Sequence, residues 1–138
     1  MTGKRKMMTK PKVLIVDDDV AITQQLFWTL CDEFEVMTAN NLSSAIRRAT
    51  IYEPEVAILD LHLPPTLDAP DTGLRVLDYV KHHLPSSAVF VASSDPSVEM
   101  RRDCIRRGAD GFFDKPLDVE RLLSTIRRMA LARRLAAA

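Results

Sequence analysis

The sequence predicts an α/β fold in which five parallel strands alternate with five helices in a doubly wound sheet. Two observations carry this prediction. Short apolar runs alternate along the chain with segments of helical periodicity, and an acid or a hydroxyl residue directly follows four of the five apolar runs. The length of 138 residues suits one domain with a single core.

The first three elements are recognised from a change in hydrophobic period. Residues 12–16 form a short, β-branched run that ends abruptly at three aspartates. Apolar residues then recur every four positions, which predicts an amphipathic helix over 19–31 with Asp19 as its cap. A second short strand is expected over 35–39.

The middle of the chain continues the alternation. Asn41 can cap a helix that runs to Tyr52, and Glu53-Pro54 ends it because the residue before a proline is disfavoured in a helix. Residues 56–59 are apolar without alternation, which is typical of a central parallel strand covered on both faces. The loop Pro64–Thr72, rich in proline, follows, and we expect it to be mobile.

The last five elements repeat the same signals. They are a helix over 73–84, a strand over 88–92, a helix over 97–107 closed by Gly108, a strand over 111–113 and a final helix capped by Asp118. Alternating strands and helices predict right-handed crossovers and a parallel sheet. In such sheets the working site lies at the carboxyl ends of the strands.

Charge is balanced in total but not along the chain. Nineteen basic and 19 acidic residues give a formal net charge of zero, which argues against direct nucleic-acid binding and against a membrane-surface protein. Residues 1–12 and 121–138 are basic without any acid, and the segment between them is acidic. Only two cysteines occur and no long apolar run is present, so we expect a protein of the reducing cytoplasm.

The residues that follow the strands are mostly acids and hydroxyls. They are Asp17, Asp18 and Asp19 after the first strand, Asp60 after the third, Ser93, Ser94 and Asp95 after the fourth, and Asp114, Lys115 and Pro116 after the fifth. Carboxylates gathered at one edge repel one another, and a divalent cation removes that conflict. A few hard oxygen ligands suit Mg²⁺ better than zinc.

Such a site contains the chemical groups that phosphoryl transfer requires. Asp60 can act as a carboxylate nucleophile and form an aspartyl phosphate. Phosphoryl transfer depends on positioning and charge neutralisation, which a metal and Lys115 can provide. Ser93 offers a hydroxyl to a phosphoryl oxygen.

Four segments together resemble the response-regulator receiver domain of two-component signalling. They are VLIVDDD, VAILDLHLP, VFVASSD and GADGFFDKP, in this order, and the resemblance covers residues 12 to about 130. It implies a flavodoxin-like (βα)₅ fold with strand order 2-1-3-4-5. Each segment alone is a weak signal, whereas the ordered set is specific.

The resemblance also implies roles for individual residues. Asp60 would be the phosphoacceptor, and Mg²⁺ would be bound by Asp17, Asp18, Asp60 and the backbone carbonyl of His62. Ser93 and Phe112 would be switch residues and Lys115 would contact the phosphoryl group. The bond before Pro116 would be cis.

The resemblance further implies a signalling module rather than a turnover enzyme, although it would catalyse its own phosphorylation and dephosphorylation. The phosphodonor would be a histidine kinase or phosphotransfer protein, and an output domain, a partner protein or a second copy would contact the face formed by the fourth helix, the fifth strand and the fifth helix. We expect a flexible basic tail at 1–11, a receiver domain at 12–131, and a helix extension or the start of a linker at 132–138. The basic last helix is where partner contacts are expected.

Two departures from the commonest pattern are visible. The family's glycine after the phosphoacceptor matches Gly73, which leaves several extra residues in the loop Pro64–Thr72. The aromatic switch position holds Phe112, where tyrosine is common. Ser94 adjoins Ser93, but the spacing to Gly108 favours Ser93 as the switch residue.

Three alternatives stay open. The chain could be a degenerate receiver that binds proteins without phosphorylation, but the complete set of acids, serine and lysine counts against it. A flavodoxin-like cofactor binder would need a hydroxyl- and glycine-rich loop where three aspartates stand. A phosphohydrolase with an aspartate nucleophile would need a second acid close after the same strand and a substrate cap.

Overall fold

The computed structural model describes residues 9–65, 70–94 and 97–137, which form one five-stranded sheet with helices on both faces. In chain order the elements are β1 (Lys12–Val16), α1 (Val20–Leu30), β2 (Glu35–Ala39), α2 (Leu42–Tyr52), β3 (Val56–Asp60), α3 (Asp71–His83), β4 (Ala88–Ser93), α4 (Val98–Arg106), β5 (Gly111–Asp114) and α5 (Val119–Ala137). The sequence therefore predicted every element, with ends displaced by a residue or two except in α5, which continues through the segment 132–137. No helix in these described ranges is long and apolar enough to cross a membrane.

All four strand pairs are parallel, and the strand order is β2-β1-β3-β4-β5. The expected order 2-1-3-4-5 is confirmed. The central strands β1, β3 and β4 are buried along almost their whole length, as their unbroken apolar runs predict. Their carboxyl ends consequently meet at one edge of the sheet.

The sheet separates two apolar clusters. Residues of α1 and α5 pack on one face, among them Leu26, Leu30, Leu122 and Ile126. Residues of α2, α3 and α4 pack on the other face. Each strand contributes alternate side chains to the two clusters, which is the reason that apolar residues follow one another without interruption in the central strands.

Helix ends are fixed by the residues that the sequence indicated. The Asp19 carboxylate accepts hydrogen bonds from the first turn of α1, and Asn41 forms a reciprocal capping box with Ser44. Asp118 Oδ1 accepts a hydrogen bond from the backbone of Arg121 at the start of α5. Gly108 closes α4 with a φ of +104°, a conformation that favours glycine.

Gly73 fixes the first turn of α3 against the segment that follows β3. Its backbone N–H donates to the Leu61 carbonyl over 3.0 Å, and a Cβ added at Gly73 would overlap the Leu61 backbone. Only glycine allows this approach. The loop Pro64–Thr72 was expected to be mobile, and its residues 66–69 lie outside the described residues.

The N-terminal tail expected at 1–11 is described only from residue 9 onward. Lys10 Nζ donates a hydrogen bond to the Cys31 carbonyl over 3.1 Å. The Pro11 carbonyl accepts a hydrogen bond from the Glu35 amide over 2.9 Å. Contacts with the neighbouring strand β2 therefore begin one residue before β1.

Candidate functional site

Three carboxylates meet at the carboxyl edge of the sheet. Asp17 and Asp18 follow β1, and Asp60 is the last residue of the adjacent strand β3. Each of the three offers an oxygen atom, and these atoms lie within 4.8 Å of one another. The side chains of Asp17 and Asp60 are buried, because Asp17 directly follows, and Asp60 ends, a strand that helices cover on both faces.

Backbone amides hold two of these carboxylates in place. The Asp19 amide donates to Asp17 Oδ1 over 2.9 Å, and the His62 amide donates to Asp60 Oδ1 over 3.1 Å. Each carboxylate therefore has a fixed orientation that its own loop provides. His62 lies beside Asp60 at the opening of the site, as its place in the sequence predicts.

Lys115 is the cation of the site. It follows β5, and its Nζ lies 2.8 Å from Asp17 Oδ2 and 3.5 Å from Asp60 Oδ2. Burial alone would lower the pKa of Lys115, but the hydrogen bond to Asp17 and the charges of Asp17 and Asp60 raise it above its ordinary value. The lysine is therefore charged at neutral pH and offsets part of the negative charge.

Opposing electrostatic effects act on the Asp60 carboxylate. Burial and then the charge of Asp17 raise its pKa above the ordinary value, although Lys115 and the His62 amide act in the opposite direction. A buried carboxylate that resists ionisation beside a second carboxylate is typical of functional sites rather than of a stabilising contact.

The donor set fits Mg²⁺. Carboxylate oxygens are hard ligands, and three of them converge where one lysine leaves part of their charge uncompensated. The opening above them has a volume of about 470 Å³, which leaves room for water or a phosphoryl group. Its lining consists of Asp17, Asp18, Asp19, Asp60, His62, Ser94 and Lys115.

The two adjacent serines occupy different places. Ser93 ends β4, where its side chain is buried and stands in register with Asp114 of β5. Ser94 is exposed and lines the opening directly. Asp95, the third polar residue that the sequence singled out here, lies outside the described residues.

Phe112 and Pro116 flank the site on β5 and just after it. Phe112 is half-buried and packs against the cluster beneath α2, α3 and α4. The Lys115–Pro116 peptide bond is cis. A second cis bond, Pro64–Pro65, joins two residues of the loop after β3, and it was not predicted from the sequence.

Two side chains, Lys115 and Arg101, make contacts that were not anticipated from the sequence. Lys115, which was expected to contact a phosphoryl group, lies closer to Asp17 than to Asp60. Arg101 of α4 contacts both Phe112 and Asp114. Because these contacts join residues from different segments of the fold, no local motif could have indicated them.

Comparison with protein families gives one match to nearly the whole domain. The model for the response regulator receiver domain matches residues 13–127. The transcriptional regulatory protein PrrA of Mycobacterium tuberculosis is 35% identical over 130 residues, which cover 92% of this chain and 52% of PrrA. The nitrogen assimilation regulatory protein NtrX of Azorhizobium caulinodans is 32% identical over 113 residues, 80% of this chain and 24% of NtrX.

Solved structures of receiver domains have the same fold as this chain. The receiver domain of NtrX from Brucella abortus has a TM-score of 0.75 at 32% identity, covering 86% of this chain and 97% of that one. The receiver domain of a putative LuxO repressor protein from Vibrio parahaemolyticus has a TM-score of 0.83 at 25% identity, covering 93% and 95%. The chain thus spans about half the length of a curated relative such as PrrA, but nearly all of these isolated domains.

Proposed function

Since the chain belongs to the response regulator receiver domain family, we propose that it accepts a phosphoryl group on Asp60 from a histidine kinase or phosphotransfer protein. The observation that carries this proposal is the convergence of three carboxylates within 4.8 Å, with the Lys115 ammonium 3.5 Å from Asp60. Domains of this family are signalling modules, and the similar proteins include transcriptional regulatory proteins.

Asp60 supplies the nucleophile. One of its carboxylate oxygens forms a bond to phosphorus, the phosphorus–nitrogen bond of the donor phosphohistidine breaks, and the released imidazole takes up a proton. The His62 amide orients the carboxylate through its bond to Oδ1. Lys115 places a positive charge beside the phosphoryl oxygens as they arrive.

The metal of the proposed reaction is Mg²⁺. When bound, it would be held by Asp17, Asp18, Asp60 and the His62 backbone carbonyl, and it would supply positive charge that offsets the carboxylates and the phosphoryl oxygens. The hydrogen bond from the Asp19 amide keeps Asp17 oriented toward this site.

Phosphorylation adds negative charge and hydrogen-bond acceptors at the end of β3. Ser93 is proposed to move toward the phosphoryl oxygens, and Phe112 to follow into the vacated space. Both residues stand on adjacent strands, β4 and β5, and on the face that packs against α4. The face formed by α4, β5 and α5 would thus change shape through a shift between existing conformations.

The division of the chain is part of the proposal. We assign 12–131 to the receiver domain, 1–11 to a basic tail and 132–138 to a helix extension or the start of a linker.

An output domain, a partner protein or a second copy would bind the α4-β5-α5 face. The domain itself would act in the cytoplasm without direct contact with nucleic acid or membrane. Dephosphorylation by water would return the domain to its starting state. The domain would catalyse both reactions on itself and would act as a signalling module rather than as a turnover enzyme.

The test is Mg²⁺-dependent phosphorylation by acetyl phosphate, followed by intact-protein mass spectrometry. We expect the parent protein to gain the mass of one phosphoryl group only when Mg²⁺ is present, and Asp60→Asn to gain none. Asp32→Asn, which removes an exposed carboxylate after α1, is the matched control and should be modified like the parent. Absence of an adduct in the parent would instead support a degenerate receiver that binds partners without phosphorylation.

A further inference from the structure

Arg101 of α4 makes two contacts with β5 beside the proposed switch. Its guanidinium carbon lies 4.9 Å from the centroid of the Phe112 ring, and its Nη2 forms an ion pair with Asp114 Oδ1. A cation over an aromatic face is attracted by the negative face of the ring. The Asp114 carboxylate holds the guanidinium in this position, so one side chain joins the ring and the strand end to α4.

The two contacts are placed on the part of β5 that leads into the site. Phe112 and Asp114 are two residues apart on one strand, so their side chains point to the same face of the sheet. Asp114 is followed by Lys115, whose amide donates to the Ser93 carbonyl over 2.9 Å. A displacement of the end of β5 relative to α4 must therefore change the geometry of both Arg101 contacts.

We propose that Arg101 is a positioning residue for the reaction at Asp60, because it holds the Phe112 ring and the end of β5 against α4 and so opposes the phosphorylated conformation. The proposal rests on the proposed function, which gives Phe112 a movement to oppose. Inward rotation takes the ring away from the guanidinium and loses the cation–π contact. Arg101 thereby sets how readily the domain switches, without touching the phosphoryl group.

The size of the effect follows from the exposure of the two contacts. The Arg101 side chain is 39% exposed and that of Asp114 60%, so water screens both interactions, and each is modest. Losing them shifts a two-state equilibrium by about three- to tenfold. By linkage, a ligand that binds the switched state gains affinity by the same factor.

The experiment measures binding of beryllofluoride, a phosphoryl mimic, in the presence of Mg²⁺. We expect Arg101→Ala to bind about three- to tenfold more tightly than the parent, and Arg101→Lys, which keeps the charge but not the planar group, to fall between them. Arg102→Ala removes the neighbouring, exposed arginine of the same helix and should bind like the parent.

A second measurement separates positioning from a general structural role. The amide chemical shifts of α4 and β5 in ligand-free Arg101→Ala should lie on the line between those of the free and the beryllofluoride-bound parent. Shifts off that line, or an affinity equal to or weaker than that of the parent, would overturn the proposal. If circular dichroism shows that Arg101→Ala is unfolded, Arg101→Gln takes its place under the same criteria.

The two proposals fail in distinguishable ways. A parent protein that binds no beryllofluoride with Mg²⁺ contradicts the proposed function and with it the role of Arg101. A parent that binds it, with Arg101→Ala and Arg102→Ala indistinguishable from it, contradicts the role of Arg101 alone.

Discussion

At Asp60, burial and a neighbouring carboxylate act against the charge of a nearby lysine. The fold buries its carboxylate beside Asp17, and both effects raise its pKa, while Lys115 only partly compensates. In the absence of a metal, the ionised side chain therefore destabilises the native state. The cost is localised at the atoms that the proposed reaction uses.

This destabilisation predicts that Asp60→Asn is more stable than the parent in a chelator. The folded-state pKa of Asp60 lies above the unfolded value, so the parent loses free energy of unfolding as pH rises from the ordinary range of an aspartate through the raised pKa. At pH 7 we therefore expect the variant to be more stable than the parent, and we expect the difference to be smaller near pH 4. Urea unfolding at both pH values measures this difference.

Asp32→Asn is the control for that comparison, because it removes an equivalent charge at an exposed position. It should change the free energy of unfolding by less than about 0.5 kcal/mol. An Asp60→Asn variant that is less stable than the parent at pH 7 would mean that the contact with Lys115 outweighs burial and repulsion.

At the scale of elements, the sequence was sufficient wherever a local pattern decides the structure. The apolar runs and the caps Asp19, Asn41 and Asp118 gave the strands and helix starts correctly. The side chains that pair across elements were not predictable, because Lys115 and Asp17 are 98 residues apart. Spacing could place both residues at one edge of the sheet, but their hydrogen bond depends on the packed geometry.

The junction between α3 and the segment after β3 gives an element-scale prediction. Gly73→Ala should lower the free energy of unfolding by about 3 kcal/mol, because its Cβ would overlap backbone atoms of Leu61 that have no flexible end to move aside. Gly108→Ala, at the end of α4, should cost only about 1 kcal/mol for its positive φ. Equal losses in the two variants would show that α3 can shift away from Leu61.

The last two turns of α5 give a second prediction at the scale of elements. Arg133 donates a hydrogen bond to the Ser86 carbonyl, and Arg134 Nη2 lies 3.3 Å from Glu55 Oε1. Replacing both arginines by alanine should lower the free energy of unfolding by about 1 kcal/mol. Arg128→Ala is the control on the same helix, and a double variant no less stable than this control would assign the segment 132–138 to the linker instead.

At the scale of the whole molecule, the net charge of zero includes basic residues of α5 that form ion pairs within the domain, which the sequence did not indicate. Arg127 pairs with Glu33 and Arg134 with Glu55, so two charges of α5 have partners within the domain. The acidic cluster lies at the opposite edge from Glu55, where the strands end. The total charge therefore says little about partners.

The central claim is that Asp60 carries the phosphoryl group. Borohydride reduces an aspartyl phosphate to homoserine, which peptide mass spectrometry locates in the chain. After incubation with Mg²⁺ and acetyl phosphate, the account predicts homoserine at position 60 and at no other aspartate. Homoserine at Asp17 or Asp18, or its absence from a protein that has gained a phosphoryl group, would contradict it.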